Sequence, residues 1–552
     1  MSDEFSFLKK SILIVEDQKP FQVMLKGMLK NMGADTVLIS ATGESAVRRC
    51  TEQTFDILFI DYNLGTGRNG RQLFEELKER KLIPPHAVCI MVTGESQSTF
   101  VVGAIEVNPD DYLVKPFSQN LLKQRVVRAW SKKQQLLPML SALDKDEIKV
   151  ALQEVDKILD EAPRLKTLAQ RFKAEFLSKL NAYSKLEKFI DEILKEKKLS
   201  WALVYKAKVF QYRHKYDLAI KCAKEAIHQN KFTIEAYDVI TDCYLQSNEI
   251  RPAYDWIRSG IEKSPFSVPR QYKLSAVAKL NKDFEASIKA CSQVVDLTSK
   301  SFKKDYHHLL NHIRNIIDIC DLEEDTFKKR KFNQEAIFAL QKSKHDANNF
   351  KGIKPEDFEQ LCLARLDSAN GMNYKAKRSF FNLAQKFGSN DYNFPSELLA
   401  DSISLMFHIG EYEKAMDYSA LIKRSRNTMD SFTQNMIDEA HKQAESKIEK
   451  VKMLNKLGIE EYKDKNYHKA QEFFEEALEI APMNTGSALN QIQVLLALIE
   501  AEPDNRWKYI EKCRHVSRIV DGMPLSEGHE KRALDLKQKF EFVQNSEKKK
   551  SR

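Results

Sequence analysis

Every strong strand signal in this chain lies in its first 130 residues. Five short apolar runs, Ile12–Val15, Val37–Ile39, Ile57–Ile60, Val88–Val92 and Tyr112–Val114, are rich in Val and Ile. Most are continuous rather than alternating, which is how strands covered on both faces read. Helical stripes separate them. Phe21, Met24, Leu25, Met28 and Leu29 recur at helical spacing behind Pro20, a residue that a first helical turn tolerates. Leu73, Phe74 and Leu77 form a second stripe, and Leu121, Leu122, Val126 and Val127 a third. Strands alternating with helices over about 120 residues predict a doubly wound α/β domain with a five-stranded parallel sheet, here residues 1–130.

After Trp130 the strand signal stops. Residues 131–200 are charged and helical, with Ile148, Leu152, Val155, Ile158 and Leu159 on one face, and predict a connector of two or three helices. From residue 200 a repeat appears. Ala219, Ala253 and Ser287 are 34 residues apart, and Ala226 and Gly260 keep that spacing. Counted from residue 451, Leu457, Gly458, Ala470, Phe474, Ala477 and Pro482 fall at positions 7, 8, 20, 24, 27 and 32. The same register takes in Ala207, Ala219 and Ala226, then Tyr244, Ala253, Gly260 and Pro265. Ala364, Ala376 and Phe380 keep part of it, and Gly410 and Ala415 suggest one further unit. Two antiparallel helices approach closely where small residues face each other, a bulky residue fills the seam, and proline stops the second helix. The pattern resembles the tetratricopeptide repeat (TPR), without its usual Trp at position 4 and with Glu461 where Tyr is usual. It predicts TPR-like repeats over 201–300 and 356–500, a degenerate helical segment over 301–355, and capping helices with a basic tail over 501–552. The alternative is an irregular helical array.

Polar residues fall at the carboxyl ends of the strands, where open parallel sheets build their sites. Glu16-Asp17 follow the first run, Asp61 the third, Thr93 the fourth and Lys115-Pro116 the fifth. Three carboxylates, a hydroxyl and an ammonium therefore gather at one end of one sheet. Clustered carboxylates repel, so the arrangement suits a hard divalent cation with oxygen ligands such as Mg²⁺. One carboxylate can then attack a phosphoryl group, with Lys115 set against the charge on its oxygens.

These residues, with the segments Ile-Val-Glu-Asp, Phe-Ile-Asp-Tyr-Asn-Leu, Met-Val-Thr-Gly and Tyr-Leu-Val-Lys-Pro-Phe, resemble the receiver domain of two-component response regulators over residues 11–130. The resemblance implies a flavodoxin-like fold and Asp61 as phosphoacceptor. It implies Glu16, Asp17 and Asp61 as the Mg²⁺ pocket, with the backbone carbonyl of Asn63 as a further ligand. Thr93 and Tyr112 become the switch pair, and Lys115 the partner of the phosphoryl group, with a cis bond to Pro116 as in most of the family. One departure is that Gly65-Thr66-Gly67 follow Leu64 where the family usually has proline.

The receiver resemblance implies a phosphorelay response regulator, bacterial and cytoplasmic, phosphorylated on Asp61 by a histidine kinase or phosphotransfer protein. It implies a protein that is not an enzyme, beyond a receiver that promotes its own phosphoryl transfer and dephosphorylation. No P-loop, H-E-x-x-H, cyclase signature or C-terminal recognition-helix module follows, so the output is the helical array. Its groove predicts a protein or peptide partner. The signal would pass through the fifth strand and the helices beside it, the last at about Ser118 to Trp130 and leading into the connector, changing receiver docking or homodimerisation.

Charge and cysteine content narrow the alternatives. Residues 1–130 hold 16 basic and 16 acidic residues, so the remaining 422, with 72 and 63, carry the whole +9. An excess so diluted makes nucleic acid the weaker partner, although Lys328-Lys329-Arg330-Lys331 would contribute to a basic face. A constitutive scaffold with an unphosphorylated receiver is a third reading. The eight Cys lack any Cys-x-x-Cys pair and predict buried thiols rather than disulfides or structural zinc. No apolar run reaches the length of a membrane span, and the apolar stretch behind Lys9-Lys10 is too short for a signal peptide.

Overall fold

The computed structural model describes residues 5–65, 67–94, 108–344, 353–388, 393–424, 430–521, 523, 525 and 527–550. The chain divides into two compact units, Met1–Lys304 and Asp305–Arg552. Among the described residues, strands occur only in the first unit, and none follows Val114.

The strands are β1 (Ser11–Val15), β2 (Thr36–Ser40), β3 (Ile57–Asp61), β4 (Val88–Thr93) and β5 (Asp111–Val114). They form one parallel sheet in the order β2-β1-β3-β4-β5, with Leu13 opposite Leu38 and Leu58, and Met91 opposite Tyr112. The central strands β3 and β4 are buried at every position, so their sequences carry no polar alternation. Alternate residues still serve opposite faces. Leu13, Leu58, Ile60 and Met91 pack under Leu73, Phe74 and Leu77, whereas Ile14, Phe59, Ile90 and Val92 pack with Leu25, Leu29, Leu122 and Val126. The helices that cover them are α1 (Lys19–Asn31), α2 (Gly43–Glu52), α3 (Gly70–Glu79) and α4 (Gln119–Asp144). Asn69 caps α3 by accepting from the Gln72 amide at 2.9 Å, while the Gln72 side chain accepts from the Asn69 amide at 3.1 Å. The helix anticipated between β4 and β5 falls on residues outside those described.

The helix expected to end near Trp130 instead runs on to Asp144, straight through Pro138. Its apolar stripe simply continues: Leu136, Met139 and Ala142 are buried against Val155, Ile158 and Phe176. The rest of the first unit is helical: α5 (Ile148–Glu161), α6 (Lys166–Lys179), α7 (Tyr183–Glu196), α8 (Ser200–Tyr212), α9 (Tyr216–Gln229), α10 (Ile234–Gln246), α11 (Ile250–Lys263), α12 (Val268–Leu280) and α13 (Phe284–Ser299). Successive helices pack on one another, and Ala207, Ala219, Ala226, Ala253 and Ala278 are wholly buried at their seams.

The second unit holds α14 (Tyr306–Leu322), α15 (Thr326–Lys344), α16 (Pro355–Ala369), α17 (Asn373–Gln385), α18 (Ser396–Ile409), α19 (Tyr412–Arg424), α20 (Ser431–Lys463), α21 (Tyr467–Ile480), α22 (Thr485–Ala501), α23 (Arg506–Ser517) and α24 (Glu527–Lys550). At its heart Asp401, fully buried, bonds Arg314 Nε at 2.8 Å and Arg365 Nη1 at 2.6 Å. Near the end, α20 and α21 approach so closely that a Cβ on Gly458 would sit 2.6 Å from the Phe474 ring. All eight cysteines are free thiols, seven of them buried.

Candidate phosphoacceptor site

At the carboxyl end of the sheet, β1 delivers Glu16 and Asp17, β3 delivers Asp61, β4 delivers Thr93, and the turn after β5 delivers Lys115. Glu16, Asp61 and Thr93 are buried, and Asp17 is exposed at the rim. One oxygen from each of Glu16, Asp17 and Asp61 lies within 4.8 Å of the others. Lys115 Nζ sits between two of them, 2.7 Å from Glu16 Oε2 and 2.9 Å from Asp61 Oδ1. It also lies 4.0 Å from the centre of the Phe21 ring, so an α1 residue legible only as part of an apolar stripe forms one wall of the site. The Lys115 backbone is fixed by donation of its amide to the Thr93 carbonyl at 2.8 Å, and the Lys115–Pro116 bond is cis.

The electrostatics follow from packing two carboxylates into a dry sheet end. Burial pushes the Asp61 carboxyl above its ordinary value, the charge of Asp17 adds to this, and Lys115 and the Asn63 amide pull the other way. Burial likewise raises Glu16, with repulsion from Asp61, against the Lys115 bond and the Gln18 amide. Burial disfavours the Lys115 ammonium too, but the two carboxylates outweigh it and its pKa is raised. The pocket is thus a cation-poor acid cluster in which one ammonium is shared by two of three carboxylates. Its donor set is all oxygen on the acidic side, which fits Mg²⁺. Tyr112 is half-buried, and burial, with the neighbouring Tyr62, pushes its hydroxyl up. Asn63 is exposed, just past the acceptor.

Two contacts were not visible as motifs. Gly70, the first residue of α3, donates its amide to the Tyr62 carbonyl at 2.8 Å and packs on the acceptor itself. A Cβ there would lie 2.0 Å from the Asp61 carbonyl oxygen. Gly65, in the loop where the family usually has proline, has φ +75° and lies close to Asp17. The only sequence signal for either was the presence of glycine.

The response regulator receiver domain family matches residues 12–127. The chain is 27% identical over 141 residues to the alkaline phosphatase synthesis transcriptional regulatory protein PhoP of Bacillus subtilis (strain 168), covering 26% of this chain and 56% of that protein. It therefore spans about half the length of that curated relative. Among solved structures it is similar to a response regulator receiver domain protein (CheY-like) from Methanospirillum hungatei JF-1, at 25% identity over 23% of this chain and 96% of that one, with a TM-score of 0.21. It is also similar to the signal receiver domain of a modulated diguanylate cyclase from Desulfovibrio desulfuricans G20, at 28% identity over 23% and 96% of the two chains, with a TM-score of 0.21. The chain carries an N-terminal response regulator receiver domain, the module of phosphorelay signalling, followed by a long helical region. No described helix is long and apolar enough to cross a membrane.

Proposed function

We propose that this chain is a phosphorelay response regulator in which Asp61 accepts a phosphoryl group and the helical region is a TPR-like array that binds a protein partner. The observation that carries the first half is the placement of Lys115 Nζ within 2.9 Å of Asp61 and 2.7 Å of Glu16 at a buried strand end. An Asp61 oxygen attacks the phosphorus of a phosphohistidine on a histidine kinase or phosphotransfer protein. The O–P bond forms as the N–P bond breaks, and the electron pair stays on the imidazole nitrogen. The Lys115 ammonium leaves its bond to Asp61 Oδ1 for the arriving phosphoryl oxygens, and Thr93, buried beside it, turns its hydroxyl toward them. Glu16, Asp17, Asp61 and the Asn63 carbonyl would hold Mg²⁺, which when bound neutralises phosphoryl charge. Tyr112, on the neighbouring strand, then follows Thr93 inward as the switch.

The second half rests on the seams. Alanines of the 34-residue register are wholly buried, and Gly458 at position 8 meets Phe474 at position 24. That is what paired helices with small residues facing a bulky one require. The test of the first half is incubation of the full chain with acetyl phosphate and Mg²⁺, with intact mass read for wild type and Asp61→Asn. A gain of one phosphate in the wild type alone supports it. Equal gain in both moves the acceptor elsewhere, and no gain in either leaves the scaffold reading.

A further inference from the structure

Within the first unit, the receiver's α3 leans on the helical region. Gln72 Nε2 donates to the Leu297 carbonyl at 3.0 Å, the Arg71 guanidinium lies 5.5 Å from the centre of the Phe266 ring, and Lys303 Nζ is 3.4 Å from Glu79. Between α3 and the helices α8, α10 and α12 lies a cavity of about 820 Å³, within the size range of ligand sites. One wall is the receiver, through Arg71 and Glu75, and the opposite wall is the groove, through Trp201, Tyr205 and Phe232.

The lining is unbalanced in two ways. Five cationic side chains face two carboxylates: Arg71, Arg171, Lys208, Arg270 and Lys303 against Glu75 and Glu235. Arg270 is spoken for by Asp238 at 2.8 and 2.9 Å, and Arg171 and Lys303 make longer, exposed pairs, whereas Lys208 has no acidic partner among the described residues. The second imbalance is in donors. Arg71 is 6% exposed and spends Nη1 on Glu75 at 2.8 Å, yet its Nε is buried with no acceptor. Trp201 Nε1 is also buried with no acceptor. Two buried N–H groups without partners are costly as the side chains stand, and both belong to residues that line the cavity, where a shift of the side chain would offer them to a ligand's acceptors. Aromatic rings beside them give such a ligand an apolar floor.

We propose that this cavity is a composite binding site for an acidic peptide segment, shared between the groove and the receiver. The proposal rests on the protein-binding reading of the helical region and makes it specific: the partner offers Asp or Glu side chains, and the receiver supplies part of the site. Arg71 stands one residue from Gly70, which packs on the backbone of Asp61. Any shift of α3 caused by phosphorylation therefore moves a binding residue, and linkage makes the effect reciprocal, in the usual range of about 5- to 150-fold. This route runs through α3 rather than through the surface anticipated around β5.

The probe is a phage-displayed random dodecapeptide library selected on the full chain, followed by anisotropy titration of the enriched peptides. Enrichment of net-acidic sequences is expected. Their binding should weaken about tenfold in Arg71→Met and in Trp201→Phe, the second of which keeps an aromatic side chain while removing the N–H donor and part of the indole's contact area. Treatment with acetyl phosphate and Mg²⁺ should change the affinity in the wild type and not in Asp61→Asn. Enriched neutral or basic sequences, or acidic ones indifferent to both variants, overturn the composite site and leave a groove partner of other chemistry. No enrichment of any sequence overturns the groove reading with it. Unchanged affinity on phosphorylation overturns the coupling alone.

Discussion

Substituting Gly70 by Ala tests how tightly the acceptor is tied to α3. The added methyl would lie 2.0 Å from the Asp61 carbonyl oxygen and 3.1 Å from Ile60 Cγ2, where real Cβ contacts essentially never fall under 3.0 Å. The obstacle is backbone, so no side chain can swing aside, and α3 must back away by about 1 Å or more. Overpacking of this kind costs about 1–3 kcal/mol, and the bond from the Gly70 amide to Tyr62, now 2.8 Å, adds about 1 kcal/mol when lost. The expected loss is about 2–4 kcal/mol in urea unfolding of the first unit. Function should suffer more than stability, because displacing a reacting group by about 1 Å costs on the order of 100-fold in rate. The control is Gly27→Ala. That glycine is inside α1 with nothing within 4 Å of its Cβ position, so alanine should stabilise the chain by about 0.5–1 kcal/mol and leave phosphorylation unchanged. The assay pairs the urea midpoint with the initial rate of phosphate gain from acetyl phosphate by intact mass. A Gly70→Ala chain as stable and as fast as wild type would refute the packing argument. One that is destabilised but equally fast would refute the tie between α3 and the geometry of Asp61.

Three further outcomes follow from the charges. Asp61 and Glu16 have raised folded-state values, so the stability they contribute is full below their ordinary values of 3.8 and 4.5 and is lost as pH rises through the raised ones. Asp61→Asn should therefore gain stability relative to wild type as pH rises from about 4 to 7, and a gap that stays flat in pH-resolved melts would contradict this. Mg²⁺ should stabilise the wild type by mass action, about 1.4 kcal/mol at ten times its Kd, and not Asp61→Asn, with EDTA reversing the effect. In the second unit, burial disfavours the Asp401 carboxylate but Arg314 and Arg365 outweigh it and hold its pKa low. Its contribution is present above the ordinary 3.8 and lost as pH falls, so Asp401→Asn should cost about 3–5 kcal/mol at neutral pH while phosphorylation of Asp61 survives. Loss of both together would show that the two units do not fold separately.

The sheet is readable because its central strands are buried on both faces. Runs such as Ile57–Ile60 and Val88–Val92 differ from the observed β3 and β4 by the final Asp61 and Thr93, the polar residues that make the site. The acid pocket was readable for a related reason. Parallel topology brings the ends of β1, β3, β4 and β5 together, so adjacency along the sheet could be inferred from residues 16 to 115 without coordinates. The helix α2 was harder, since its buried positions are the small or short Ala46, Val47 and Cys50 rather than a leucine stripe. The sequence understates the length of α4, because Pro138 and the polar run Ser131-Lys132-Lys133-Gln134-Gln135 resemble an end, whereas burial of Leu136 and Met139 carries the helix through. Contacts set by distant pairing left no trace at all. Nothing near Gln72 announces Leu297, and nothing near Arg71 announces Phe266 or Trp201.

The acceptor can be located chemically. An acyl phosphate on aspartate is reduced by borohydride to homoserine, so the full chain is treated with acetyl phosphate and Mg²⁺, reduced, digested and mapped by peptide mass. The pocket geometry predicts homoserine at position 61 alone, dependent on Mg²⁺ and on Lys115. Homoserine at position 17 or another carboxylate, or none anywhere under conditions where Mg²⁺ binds, would contradict the assignment of Asp61 as the phosphoacceptor.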